Sequence, residues 1–344
     1  MTILLFNHTQ RRLPSVKEKY QAPKKCECCC TGVTLLFSGA LSTYGRTALR
    51  AVLHVAERRA TSPFALMPLG ESVRQFCSGH HLALNTDLGQ HFLIDEDVLR
   101  RIVETAKIEP NDRIVEIGPG IGILTAELLK KEAKVTAIEL DLHLIPLLQE
   151  FITKNQKLET RNLSIVHGNA LTTPFPEEPY KIVANIPYHI TSPLLRHAFL
   201  ESSTPPTTMT LLIQREVAEK ICLPAEARSA KVGDTQHHTL LSILVALFGK
   251  PKLVQIVPPE SFLPPPKVDS AVLHIDCFEE PLAETETIDA VFRLTKMAFS
   301  QKRKMLRNTL GSSPEGMTRL AKAGIDPERR PQTLTIEEWL TLAE

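Results

Sequence analysis

The chain has 344 residues, with 40 Lys and Arg against 39 Asp and Glu for a formal charge of +1. That length accommodates two domains and an appendage, and no apolar run reaches the roughly 20 residues needed to cross a bilayer, which argues against a helical membrane protein. A balanced charge does not exclude a nucleic-acid partner, because the distribution of charge matters more than its sum.

Residues 1–87 carry few periodic apolar stretches and read as a poorly structured extension. Cys26, Cys28, Cys29 and Cys30 form one cluster, but no second Cys or His pair at zinc-finger spacing follows it, so no metal site is expected. Arg11, Arg12, Arg46, Arg50, Arg58 and Arg59, with frequent hydroxyl residues, suit an organelle-targeting segment. A start of translation at Met67 is another reading of the same stretch. Cys77, Cys222 and Cys277 stand apart and read as reduced thiols of a cytoplasmic protein.

The first clear strand signal is Arg113-Ile-Val-Glu-Ile-Gly118, which feeds into Pro119-Gly120-Ile121-Gly122 and then a helical pattern over Ile123–Lys131. Glycines at a strand-to-helix turn let a ligand come close to the backbone. A second apolar strand, Lys134-Val-Thr-Ala-Ile-Glu139, ends in a carboxylate. In a doubly wound sheet a carboxylate there accepts hydrogen bonds from both hydroxyls of a ribose. A dinucleotide fingerprint would place a third glycine where Ile123 stands, so the spacing leaves NAD open without favouring it.

A third strand, Leu163-Ser-Ile-Val-His-Gly-Asn169, ends in Asn169, which either faces an adenine ring through its amide or serves as a turn residue. The run Tyr180-Lys-Ile-Val-Ala-Asn185 is a short strand that stops at Ile186-Pro187-Tyr188. There the Asn185 carboxamide and the Ile186 carbonyl can both accept from one planar amine, while the Tyr188 ring can stack on a base. Asn-X-Pro is also a common turn, and Tyr188 could instead cap a core. Ser270-Ala-Val-Leu-His-Ile-Asp-Cys277 reads as the last strand, and Gln301-Lys-Arg-Lys-Met-Leu-Arg307 as a basic helical run near the start of a helical C-terminal region.

Five segments occur in one order: Gln90-His-Phe-Leu-Ile-Asp95, Glu116-Ile-Gly-Pro-Gly-Ile-Gly122, Ile138-Glu-Leu-Asp141, Asn185-Ile-Pro-Tyr188 and Phe262-Leu-Pro-Pro-Pro-Lys-Val-Asp-Ser270. Together they resemble the ribosomal RNA adenine N6-dimethyltransferases, most closely the bacterial small-subunit type. The resemblance runs from about Leu88 to the C-terminus, including Gly324–Pro331 and Ile336–Leu340. It implies an α/β fold: a Rossmann-like S-adenosylmethionine-dependent methyltransferase sheet over residues 88–280, with a small all-helical RNA-binding domain over 281–344. The implied cofactor is S-adenosylmethionine, held at His91, Leu93, Gly118, Gly120, Glu139, Asn169 and Asn185. The implied catalytic set is Asn185, Ile186, Pro187, Tyr188 and Phe262, with Phe262 stacking on the target base opposite Tyr188 unless it merely packs among the prolines. Lys302, Arg303, Lys304 and Arg307 would meet phosphates.

The implied substrate is a pair of adjacent adenosines in the 3′-terminal hairpin loop of small-subunit ribosomal RNA, in an immature subunit, with the enzyme acting as a monomer. Alternatives within the fold are the large-subunit adenine methyltransferase of the antibiotic-resistance type and a non-catalytic module like the mitochondrial transcription factors. The chain departs from the family in places. His91 stands where the family has Asn, and Asn169 where it has Asp. Leu82–Leu88 carries an acid and no Lys or Arg, and the loop from Glu226 to His238 lacks a Tyr-Gly-Arg, so either the grip on the substrate is altered or other residues, such as His237 and His238, compensate.

Overall fold

The computed structural model describes residues 67–82, 84, 89–226, 238–301 and 304–344. The cysteine cluster, the arginines of the extension, His237, Lys302 and Arg303 lie outside those residues.

The stretch just before the first motif departs from expectation. Leu69–Gly79 forms helix α1, and Val73, Phe76 and Cys77 fall one turn apart on its buried face. Phe76 meets Phe151 edge to face, with ring centroids 5.3 Å apart. The backbone N–H of Leu69 donates to Glu96 Oε1 at 2.7 Å, satisfying a donor at a helix start that has no side-chain cap of its own. Helix α1 therefore packs its apolar face into the core. Phe76→Ala is expected to cost about 3–5 kcal/mol, lowering the melting temperature by roughly 6–15 °C; an unchanged melting curve would mean that α1 contributes nothing to the fold.

After α1 come strand β1 (Phe92–Leu93), helix α2 (Glu96–Thr105), strand β2 (Arg113–Ile117), helix α3 (Ile123–Lys130) and strand β3 (Lys134–Glu139). Asp95 caps α2 by accepting from the N–H groups of Asp97 and Val98. Helix α4 (Leu144–Glu150) runs on through a π-turn, Phe151–Asn155. Strands β4 (Leu163–His167) and β5 (Lys181–Asn185) follow, then helix α5 (Thr191–Arg196), strand β6 (Thr208–Gln214), helix α6 (Arg215–Glu226), helix α7 (Leu240–Phe248) and strands β7 (Gly249–Val257), β8 (Phe262–Leu263) and β9 (Ser270–Cys277).

Seven strands form one sheet in the order β4-β3-β2-β5-β6-β9-β7. The first five run parallel, while β9 is antiparallel to both β6 and β7. The interiors of β2, β5 and β6 are buried almost without a break, as expected of parallel strands covered on both faces. The chain winds outward from β2 to β4 on one side and from β5 to β6 on the other, so the strand order reverses between β2 and β5. At such a switch point the loops leaving the carboxyl ends diverge and open a crevice.

Strands β1 and β8 form a separate antiparallel pair, with Phe92 opposite Leu263 and Leu93 opposite Phe262. This pairing carries residues 89–91 to the same end of the sheet. The C-terminal helices α8 (Thr285–Phe299), α9 (Pro314–Lys322) and α10 (Ile336–Ala343) close the chain. Trp339 is fully buried and stacks toward Phe299, and both pack in the hydrophobic cluster that includes Ile182 of β5 and Leu211 of β6.

The basic run differs from its expected helix. α8 stops at Phe299, where Ser300 donates its hydroxyl to the Met297 carbonyl. Lys304 lies beyond the helix in irregular backbone, and Arg307 sits in a single 3-10 turn, Leu306–Asn308.

Candidate active site

A cavity of about 550 Å³ occupies the crevice at the switch point. Its wall draws on 89–93, 116–120, 138–144, 167–170, 185, 187, 189 and 190, so every expected cofactor position (His91, Leu93, Gly118, Gly120, Glu139, Asn169 and Asn185) reaches it.

The glycine turn shows why small residues are needed. Gly120 has a φ of +59°, and a Cβ there would lie 2.7 Å from Phe92 Cε1. A side chain would strain the backbone and push β1 away from the turn. The N–H of Gly120 donates to Glu139 Oε2 at 3.1 Å, and that of Asp141 donates to Oε1 at 2.9 Å. The carboxylate is only 6 % exposed, and burial raises its pKa against the lowering effect of these two backbone donors. Each oxygen keeps a second lone pair, enough to take a hydroxyl each.

Asn169 behaves as a turn residue and as a wall residue together. Its Oδ1 accepts from the Leu171 N–H at 3.0 Å, and its carbonyl accepts from the N–H groups of Thr172 and Thr173. Left for a ligand are the Nδ2 donor, which suits a ring nitrogen, and the second lone pair of Oδ1, which suits the exocyclic amine of adenine.

Asn185 ends β5 with its Nδ2 donating to the His91 carbonyl at 3.0 Å. That bond fixes which end of the amide is which and leaves Oδ1 as the acceptor. Asn185 and Pro187 line the cavity, whereas Ile186 is 2 % exposed and Tyr188 is half-buried beside it. The Tyr188 hydroxyl pairs with Ser270 Oγ at 2.6 Å, and burial pushes its pKa up.

Phe262 corrects the expectation that it faces the target base. Its position opposite Leu93 in the β1–β8 pair buries it to 2 % exposure, and it does not line the cavity. The ring packs in the core cluster with Phe92, Leu93 and Val257. Among the outer residues, only the expectation for His238 is corrected. Arg307 is ion-paired with Glu328 and both are exposed, so its charge is already partly matched. Lys304 is exposed. His238 is not presented to a ligand: it is 5 % exposed, its N–H donates to the Gln332 carbonyl, and burial lowers its pKa.

One wall residue received no role from the sequence. Glu116 is 1 % exposed, and burial pushes its pKa up to about 8, helped by the charge of Glu139. Thr125 is near enough to oppose that rise, yet Glu116 Oε2 and Thr125 Oγ1 form no hydrogen bond of acceptable geometry and both stay unpartnered. The signal was an acid inside an otherwise apolar strand. Between pH 4.5 and about 8 the folded protein holds a proton that the unfolded chain has released. Stability therefore falls as pH rises through that window and levels off above it. In the cofactor-free protein, Glu116→Gln is expected to flatten the pH profile and to gain roughly 2–4 kcal/mol over wild type at pH 9 relative to pH 5; denaturant midpoints that shift in parallel would disprove it.

A glycine turn at a switch point, a carboxylate at the next strand end and an amide acceptor across the crevice define a nucleoside-binding α/β fold of the methyltransferase kind. The family model for ribosomal RNA adenine dimethylase matches residues 81–344. A ribosomal RNA small subunit methyltransferase A from Dehalococcoides mccartyi is 39% identical over 280 residues, covering 78% of this chain and 90% of that one. Among solved structures, a dimethyladenosine transferase from Plasmodium falciparum aligns with a TM-score of 0.58 at 29% identity, over 72% of this chain and 94% of the other. The 23S rRNA methyltransferase ErmE aligns with a TM-score of 0.56 at 28% identity, over 73% and 98%. The chain belongs to the ribosomal RNA adenine dimethylase family. It is a methyltransferase, and S-adenosylmethionine is its methyl donor.

Proposed function

We propose that the chain dimethylates N6 of two adjacent adenosines in the 3′-terminal hairpin loop of small-subunit ribosomal RNA, within an immature subunit. The observation that carries the reading is the anchored Asn185 amide, whose acceptor end is left for an amine on the wall of a nucleoside cavity. The relative at 39% identity is a small-subunit enzyme by name, whereas the large-subunit enzyme ErmE stands at 28%.

The residues present fit the cofactor. Glu139 takes the ribose hydroxyls, Asn169 Nδ2 meets an adenine ring nitrogen, and the unpartnered Glu116 Oε2 is free for a donor such as an ammonium. S-adenosylmethionine supplies an electrophilic methyl group on a sulfonium.

The nitrogen of an adenine amine is a poor nucleophile because its lone pair is delocalised into the ring. Asn185 Oδ1 and the Ile186 carbonyl each accept one N6 proton. Those two bonds draw the nitrogen toward a pyramidal geometry and free the lone pair. Tyr188 stacks on the base and holds it there, a contact worth about 1–3 kcal/mol. Orientation supplies most of the acceleration. No general base is needed before attack, since the nitrogen gives up its proton after the carbon–nitrogen bond has formed. A loop adenosine suits such a site because its base is already splayed out.

Lys304 and Arg307, with Lys302 and Arg303, are assigned to phosphate contact. A cytoplasmic monomer is proposed. Primer extension across the 3′-terminal hairpin in cells with and without the gene tests the reading. A stop at the two adenosines that depends on the gene is expected, and a stop that persists without it would refute the assignment.

A further inference from the structure

Glu116 lies on β2, between β3 and β5 and two residues before Gly118, and lines the cavity at 1 % exposure. Its neighbours give it no partner. Oε2 accepts no hydrogen bond, and Thr125 Oγ1, the polar group that α3 brings near it, is unpartnered as well. Glu139 on β3 is close enough for its charge to act on Glu116, but its own oxygens are engaged by the N–H groups of Gly120 and Asp141.

A buried carboxylate is ordinarily balanced by a cation. Among the described residues that line the cavity there is no Lys or Arg. The other titratable groups on the wall are Glu139, Asp141 and the imidazoles of His91, His143, His167 and His189. Asp141 accepts from Gln90 Nε2 and from the His143 N–H, and His91 Nδ1 is tied to the Pro264 carbonyl. With no cation at hand, the empty cavity avoids a buried charge by keeping a proton on Glu116. Burial, with the charge of Glu139, pushes the pKa of the group up to about 8. An arriving cation reverses that balance, because a carboxylate holds an ammonium by a charge-assisted hydrogen bond that a neutral acid cannot match.

We propose that Glu116 exchanges its proton for the ammonium on the amino-acid portion of the methyl donor, and so selects ligands that carry that cation over nucleosides that lack it. The inference rests on the function proposed above. The exchange balances simply: the carboxyl O–H bond breaks, its proton goes to the solvent buffer, and the ammonium keeps its own protons beside the carboxylate. Glu116 thereby becomes a specificity-determining residue, and cofactor uptake becomes linked to pH.

Titration calorimetry with S-adenosylhomocysteine, which keeps the ammonium and transfers nothing, counts the protons when run in two buffers of different ionisation enthalpy. At pH 7 wild type is expected to release about one proton per ligand, and its affinity is expected to rise about 10-fold from pH 6 to pH 7. Glu116→Gln has no proton to give, so its release is expected to vanish and its affinity to stay within about 2-fold over the same interval. 5′-Methylthioadenosine, the same nucleoside without the ammonium, is expected to bind wild type with no release. Binding of S-adenosylhomocysteine to wild type without proton release would overturn the proposal. So would an equal release with 5′-methylthioadenosine, or an equal release by Glu116→Gln, which would assign the proton to an imidazole of the wall. Should Glu116→Gln fail to fold, the two ligands compared on wild type decide the matter alone. Protein that releases the proton as expected but leaves immature small subunits unmethylated would overturn the function proposed above and support this one.

Discussion

Asn185→Ala is expected to lower the rate of methyl transfer by about 10²–10³-fold, the scale seen when one fixed polar group is removed from a preorganised site. Two functions of the side chain are lost together. Its Oδ1 no longer accepts from the reacting amine, and its Nδ2 no longer holds the His91 carbonyl. The first loss acts on the reacting nitrogen and so on turnover. The second loosens the segment that carries Gln90 and His91 onto the cavity wall, so cofactor binding weakens yet stays measurable. Single-turnover kinetics separate the two effects, with the rate at saturating cofactor as the deciding quantity. Near-wild-type turnover would mean that the amine is not gripped at this strand end.

Glu139→Ala is expected to weaken binding of the methyl donor by about 10²-fold or more, since two hydrogen bonds to a charged acceptor contribute about 1.5–3 kcal/mol each. The carboxylate also accepts from the N–H groups of Gly120 and Asp141, so its removal leaves both backbone donors unpaired at the floor of the cavity. Part of the loss is therefore disorder of the glycine turn itself. Glu139→Gln separates these contributions. Its one carbonyl oxygen can serve a single backbone donor, and affinity is expected to fall between those of wild type and Glu139→Ala. Titration calorimetry reads both variants, and an unchanged dissociation constant for Glu139→Ala would remove the ribose from this position.

Much of the site was legible because its signals are local. The apolar run of β2, the glycines after it and the acid ending β3 are punctuated within a short stretch, and the parallel sheet turns that order into a crevice without further instruction. Asn185 was equally readable as a polar residue closing an apolar strand. What escaped depends on partners far away in the chain. Phe262 is buried by pairing two residues of β8 with two of β1, a contact across more than half the fold that leaves no periodic trace. Arg307 finds Glu328 in the same non-local way. α1 was missed because its start lacks a capping side chain and its apolar stripe is short, while the ring it packs against, Phe151, lies in a distant π-turn. Asn169 shows a subtler limit. Both of its readings were foreseeable, and the bond to Leu171 shows that the two hold together, since it fixes the amide as a turn and still leaves it on the cavity wall.

An amine grip at Asn185 is proposed to serve dimethylation of small-subunit RNA. The most direct measurement supplies labelled S-adenosylmethionine to immature small subunits and to naked large-subunit RNA in parallel, followed by nucleoside mass spectrometry. The expected result is N6,N6-dimethyladenosine at two adjacent positions of the 3′-terminal hairpin with wild-type protein, little or none with Asn185→Ala, and none in the large-subunit RNA. Transfer confined to the large-subunit RNA, or full dimethylation by Asn185→Ala, would contradict it.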